Sequence, residues 1–422
     1  MKISGIKASI IRDSRNEETI EVEVLSEKLS AKASVPSGKS KGRFEAVQVK
    51  AGEALDNIEK LKPEIIGRDF KGPLDFDRRL LDIDGTPDKA NLGANVTLAL
   101  GIAFLRLFAK SSREPLYSII GKLAGAEVRA FPRLFVNLIN GGLHAGPELE
   151  PLAFQEYLVI PEERSPKKAL KIVFEFIEAL KGAVAARQGE LAERACPELI
   201  ERACPERSRG ELVEGDEGGL VLSGDDPETG LEFLKEALLA MKPKEKINFG
   251  LDAAASSLFQ KNVYKWRNKK WSAGELKSKY EKLIADYDLF SIEDPFHEEA
   301  WDDWAEFTKT NGQKIWVVGD DLTVTNSRRI KKAGERGAVN AVIIKPNQIG
   351  TVLETIEAAK LVRSFGWKII VSHRSGETDD DFIADLAYGL AADGFKAGSP
   401  TQRERLVKYE RLIRIEEGLS LD

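Results

Sequence analysis

A chain of 422 residues, 42% hydrophobic and 31% charged, can bury a large core, and its length suits two domains or one large barrel with an addition. Lysine plus arginine number 63 against 69 for aspartate plus glutamate, a formal net charge of −6, which excludes the basic field of a nucleic-acid binder and the polybasic run of a membrane-surface protein. Residues 1–15 lack the apolar core of a signal peptide, no later run reads as a membrane span, and the two cysteines, Cys196 and Cys204, make no disulfide framework, so a reduced compartment is expected.

The first part of the chain reads as a small α+β unit. Ile10–Arg12 and Thr19–Val24 bracket a polar turn, and the second run alternates as a half-exposed strand should. Helical patterns follow at Glu45–Lys60 and Asn95–Ala109. Gly, Ala and Pro then cluster between Gly121 and Pro132, which places a domain boundary there: residues 1–125 as an N-terminal capping domain and 126–422 as the catalytic one.

The second part repeats a different unit. Short apolar runs end at or lead to Asp252, Glu293, Asp320, Lys345, His373 and Lys396, positions separated by 41, 27, 25, 28 and 23 residues on subtraction of their numbers. Helical patterns at Glu299–Thr310, Ser327–Gly337, Thr351–Phe365 and Asp380–Ala392 fill the gaps. A strand–helix step of roughly 25–30 residues is that of an eight-stranded β/α barrel, in which the residue at each strand's C-terminal end faces one mouth. Glu193–Glu198 recurs as Glu201–Glu206 in a polar, proline-containing stretch, which reads as a surface insertion around residues 192–212.

Three carboxylates on successive strand ends, Asp252, Glu293 and Asp320, form an oxygen donor set suited to a hard cation such as Mg²⁺, while Asp294 and Asp321 beside them fit structural roles. Lys345 and Lys396 converge on the same mouth, where a neighbouring cation and a metal would lower an ammonium pKa toward that of a base; an anion anchor is the alternative for either. Glu217 lies on the Gly215–Gly219 turn, where backbone can approach a ligand and a carboxyl can serve as an acid.

At this point the chain resembles the enolase family over nearly its whole length. Phe135–Gly146 is similar to the family's histidine loop, Gln155-Glu156 to its glutamine–glutamate pair and Gly215–Gly219 to its acid turn. Ser291–Phe296, Gly319–Asn326, Lys345–Gly350, Ser372–Thr378 and Arg414–Glu417 follow in family order. The resemblance implies an enolase-type barrel after a smaller α+β domain and a Mg²⁺-dependent lyase that interconverts 2-phosphoglycerate and phosphoenolpyruvate. It implies Lys345 as the base at C2, Glu217 as the acid at the leaving hydroxyl, and Glu156, Lys396 and His373 as assisting groups. It implies Asp252, Glu293 and Asp320 around one Mg²⁺, Ser40 on a second, and Gln155, His144, Ser372, Arg374 and Ser375 around substrate. The same resemblance implies a cytoplasmic protein, with a surface or secreted pool, that forms a homodimer or a ring of dimers. His297 matches a variable position and reads as surface.

Four departures stand out: Asn16-Glu17-Glu18 in the first turn, Lys39 and Lys41 around Ser40, a longer loop carrying Pro147 after His144, and a tail that stops soon after Glu417. The two lysines either draw in the phosphate or point into water. Two other functions stay open from the sequence: a related lyase acting on another 2-hydroxy acid, and an enolase-like binding protein of weak activity.

Overall fold

The structure, a computed structural model, describes residues 1–39, 42–127, 130–145, 152–194, 212–224 and 226–419, with residues 188–194 described by backbone alone. The N-terminal part is an antiparallel sheet, β1 (Gly5–Arg12), β2 (Glu18–Leu25) and β3 (Ser30–Ser34), with four helices: α1 (Ala51–Ile65), α2 (Pro73–Asp84), α3 (Ala94–Ser112) and α4 (Leu116–Ala124). The alternation read in β2 has its physical cause here, since Ile20, Val22 and Val24 are fully buried while Glu21 and Glu23 are not. The helix expected from Glu45 begins only at Ala51. Glu45–Lys50 instead forms no helix and is tied to Asn95 through Val49, whose N–H donates to Asn95 Oδ1 at 3.2 Å. α3 has the length and apolarity of a membrane span, which corrects the sequence reading, but 78% of that stretch is buried inside the protein and it serves as the core helix of this domain.

The rest of the chain builds a closed barrel from β4 (Arg133–Asn140), β5 (Glu156–Pro161), β7 (Ile247–Asp252), β11 (Ser291–Glu293), β12 (Trp316–Gly319), β13 (Ala341–Ile344), β14 (Lys368–Ser372) and β15 (Gly394–Lys396), with β15 pairing β4. Every neighbouring pair is parallel except β4–β5 and β5–β7, because β5 runs backwards. A short β6 (Leu220–Val221) extends β4 at one side. The long step between Asp252 and Glu293 contains a small meander, β8 (Phe259–Gln260), β9 (Val263–Trp266) and β10 (Lys269–Trp271), before the helix Ala273–Tyr287. Phe135, Leu158, Ile160, Val318, Ile343 and Ile370 fill the barrel interior, a packed plug that leaves polar chemistry to the mouth.

The helix Phe382–Gly389 is shorter than the sequence pattern, since Asp380 and Asp381 turn aside to hold Arg106 of α3. Cys196 and Cys204 and most of the repeated segment lie outside the described residues, as do Ser40, Lys41 and Pro147.

Polar bolts join the two parts. Thr97 Oγ1 donates to the Gly350 carbonyl at 2.7 Å, and Asp77 of α2 accepts the N–H of Leu353 at 2.7 Å at the start of the helix Val352–Ser364. Burial pushes the Asp77 carboxyl up to about 7, and Glu354 adds to that shift. Between pH 4 and 7 the native state then holds a proton that the unfolded state has lost, so this group's contribution to stability falls as pH rises. Asp77→Asn keeps an acceptor and removes the titration. Its unfolding free energy relative to the unmodified protein is expected to climb with pH across this window, by up to ~4 kcal/mol, in denaturant titrations. A difference independent of pH would show that Asp77 is ionised in the native state.

Candidate functional site

The strand ends surround one cavity of about 340 Å³, lined by residues of the mouth and by Gly42, Arg43 and Glu45 of the N-terminal domain. The reversal of β5 shapes it. Glu156 is the first residue of its strand, yet the register pairs it with Asp252, the last residue of β7, so both stand at the same end. Asp252 in turn pairs Glu293 of β11.

Lys396, at the end of β15, ties these together. Its Nζ lies 3.0 Å from Glu156 Oε2, 3.0 Å from Asp252 Oδ2 and 2.8 Å from Glu293 Oε2, and all four side chains are at most 5% exposed. Burial pushes Glu156 well up, opposed by Lys396. Burial and then Asp252 raise Glu293 likewise. Burial alone would lower Lys396; Asp252, Glu156 and Glu293 outweigh it and hold the ammonium well above its ordinary range.

Lys345 pairs with Asp320, whose other oxygen accepts from Gln348 Nε2 at 2.9 Å. The sequence reading expected a lowered Lys345. Burial does lower it, but the adjoining Asp320 carboxylate more than offsets this, so the ammonium is held above its usual range in this state. Asp294 uses both oxygens to accept the backbone N–H groups of Asp320 and Asp321, at 3.0 and 2.7 Å, and so fixes the loop after β12.

Glu217 sits opposite. Asn137 Nδ2 donates to its Oε2 at 3.2 Å, His373 Nε2 is 3.4 Å from the same oxygen, and His144 Nδ1 is 3.6 Å from Oε1 and 3.5 Å from Glu156 Oε1. Burial lowers His144 and brings His373 down to about 3, so at neutral pH both face Glu217 as uncharged rings. Burial would raise Glu217; His144 and His373 beside it, a hydrogen bond from His373 and the charge of Arg405 outweigh that and hold the carboxyl well below its ordinary range.

Among the other expected residues, Gln155, Ser372, Arg374 and Ser375 line the same cavity. Arg374 is gripped by Glu45 on both terminal nitrogens, at 2.8 and 3.1 Å, and Nη1 also donates to Asn347 Oδ1 at 3.2 Å. A Cβ at Gly38 would stand 1.8 Å from Arg374 Nη2, so any larger residue there would displace the guanidinium. Lys39 Nζ binds Asp216 Oδ2 at 2.7 Å and the Leu143 carbonyl at 2.9 Å, while its N–H donates to Ser375 Oγ at 2.8 Å. His297 is half-buried at the cavity rim rather than on the surface, 4.4 Å from the Phe259 ring. Ser40 lies outside the described residues.

The donor chemistry fits a divalent cation. Asp252, Glu293 and Asp320 offer oxygen atoms from adjacent strands and Glu293 Oε1 is buried without a hydrogen-bond partner, while the acidic oxygens that already lie within 4.8 Å of one another are those of Asp294, Asp320 and Asp321. Sequence reasoning missed Arg405, Glu45 and Asn137; nothing in the local pattern around them marks them.

Comparisons agree with this geometry. The profile "Enolase, N-terminal domain" matches residues 3–120, and "Enolase, C-terminal TIM barrel domain" matches residues 129–198 and 204–422. Proteins named enolase from Thermococcus gammatolerans and Methanopyrus kandleri are each 39% identical, over 99% of this chain and 95% and 96% of their own. Enolase from Pyrococcus furiosus is 38% identical over 99% of this chain and 95% of its own.

Lys396→Met leaves three buried carboxylates without their shared cation. Unfolding free energy at pH 7 is expected to drop by about 3–5 kcal/mol in denaturant titrations, since breaking a buried pair strands its partners. The loss shrinks as pH falls from 7 toward ~4, because the stranded native carboxylates take up protons before those of the unfolded chain do, and it levels off below that range. A drop under ~1 kcal/mol, the level of an exposed pair, would mean that solvent reaches the cluster.

Proposed function

The chain belongs to the enolase family, and we propose that it interconverts 2-phosphoglycerate and phosphoenolpyruvate with Mg²⁺ held at the mouth of its barrel. It is a carbon–oxygen lyase of glycolysis, working in reverse in gluconeogenesis. The observation that carries the residue assignments is that Lys345, Glu217, Asp252, Asp320 and the Arg374-Ser375 pair all line one cavity.

Asp252, Glu293 and Asp320 would hold the cation, and Ser40 would help to hold a second. The metal supplies positive charge for the dianion that forms when C2, already next to a carboxylate, loses its proton. Burial, Arg374 and Lys396 press the Lys345 pKa down against the pull of Asp320, and its free amine takes the C2 proton. The bond from C3 to its hydroxyl breaks, the electron pair leaves with oxygen, and Glu217 donates the proton that makes it water. Glu217 is low in pKa before substrate arrives; the negative charge of phosphate and carboxylate beside it raises it into the range of an acid.

Arg374, Ser375 and Ser372 take the phosphate, with Glu45 giving way on the guanidinium. His144, Gln155 and His373 line the substrate, and Glu156 and Lys396 hold the charge pattern around its carboxylate. The Arg374 guanidinium, once released by Glu45, favours a phosphorylated substrate over a plain 2-hydroxy acid. By family the protein works in the cytoplasm as a homodimer or larger ring, and residues 1–125 cap the barrel formed by 126–422.

The test is ultraviolet absorbance of the conjugated product from 2-phosphoglycerate, with and without Mg²⁺. Absorbance should grow only with the metal, and no growth in either case would reject the reading. Lys345→Ala is expected to lower kcat by at least about 100-fold with little change in substrate binding. Glu217→Gln should lose turnover yet retain exchange of the C2 proton with deuterated solvent, seen by NMR. Near-normal kcat in the first variant, or loss of exchange along with turnover in the second, would overturn those roles.

A further inference from the structure

Arg405 is fully buried in the C-terminal helix Arg403–Leu419, and no carboxylate of the described residues reaches it as an ion pair. A buried guanidinium is costly unless its donors are met; here Nε has no partner and the two terminal nitrogens carry the contacts. Besides a long contact from Nη2 to Ser14 Oγ at 3.5 Å, its contacts reach the segments that carry the cavity's residues. Nη1 meets His373 Nδ1 at 2.6 Å and donates to the Arg374 carbonyl; Nη2 donates to the Ser375 carbonyl at 2.6 Å and the Asp216 carbonyl at 3.1 Å.

The hydrogen-bond roles follow from chemistry. A guanidinium has donors and no acceptor, so the ring nitrogen facing it must be the unprotonated one. That puts the His373 hydrogen on Nε2, the nitrogen 3.4 Å from Glu217 Oε2. A doubly protonated ring would turn an N–H and a positive charge onto a buried cation, which excludes it. The other arm of the same guanidinium fixes the backbone that carries Ser375 and the turn that carries Glu217.

We propose that Arg405 is a positioning residue of the reaction: it locks His373 as a neutral ring with its hydrogen on Nε2, aimed at Glu217, and sets the acid turn and the phosphate segment in one frame. The catalytic part of this rests on Glu217 being the acid, whereas the tautomer lock stands on geometry alone.

The chain has three histidines, so ¹⁵N-histidine labelling of the full protein gives three resolvable rings. The His373 ring, assigned with His373→Gln, should show protonated Nε2 and bare Nδ1, unchanged from about pH 5.5 to 8, a window that brackets an ordinary histidine pKa. A proton on Nδ1, or a ring that titrates in this window, overturns the proposal without any Arg405 variant. In Arg405→Met the ring should become a tautomer mixture, and kcat should fall about 100-fold with KM within about threefold, as for loss of a group that orients another. Arg405→Lys, which keeps a donor toward Nδ1, should restore the tautomer and part of kcat. A His373 spectrum identical in the Met variant overturns the lock. If the unmodified protein shows the locked ring but does not turn over 2-phosphoglycerate, the proposed reaction fails and the lock survives.

Discussion

The mouth of the barrel depends on one buried ammonium. Glu156, Asp252 and Glu293 come from three neighbouring strands and would repel one another with little solvent to screen them; Lys396 stands among all three at 2.8–3.0 Å. Lys396 ends β15, the strand that closes the barrel onto β4, and its register partner there is Phe135. The electrostatic knot and the mechanical closure are therefore made at the same place. A strand that failed to close would also leave the carboxylates uncompensated.

Around that knot the backbone is held in conformations that side chains resist. Ala254, Asp294, Val324 and Thr325 have φ of 40°, 44°, 43° and 53°, and each follows a barrel strand at its mouth end. For β-branched Val324 and Thr325 the left-handed region is especially unfavourable. Compensation is visible at Thr325, whose Oγ1 donates to Gln348 Oε1 at 2.8 Å and accepts the Lys345 N–H at 2.9 Å. Gln348 also holds Asp320. The strained loop, a metal-ligand candidate and the candidate base thus share one hydrogen-bond network.

The legible part of the sequence was the part that is local. Apolar runs that stop at a charge revealed Asp252, Glu293, Asp320, Lys345 and Lys396, because in a parallel barrel the strand's last residue and the mouth coincide. That logic fails for Glu156, which begins a reversed strand, and only the family resemblance brought it to the site. It fails also for Glu45, placed in a helix by its pattern but in fact bound to Arg374 across 329 residues of chain. The step of 41 residues looked irregular because a three-stranded meander is inserted in it, and Asp380 was drawn into a helix because nothing nearby announces its pairing with Arg106.

Arg405 is the sharpest case of the non-local part. In sequence it is one cation in a helix dense with charges, and an amphipathic reading would leave it in water. Its burial follows from what lies beneath: the carbonyls of Asp216, Arg374 and Ser375 and a ring nitrogen, acceptors that loops at a barrel mouth leave unpaired. Backbone carbonyls aimed inward need donors, and a guanidinium supplies several in one rigid plane, which an ammonium on a flexible stem does not. The same plane that satisfies the loops also decides which nitrogen of His373 carries its hydrogen. Structural satisfaction and catalytic orientation are one set of contacts here, so a change that relaxes the loops must also disturb the hydrogen bond at Glu217.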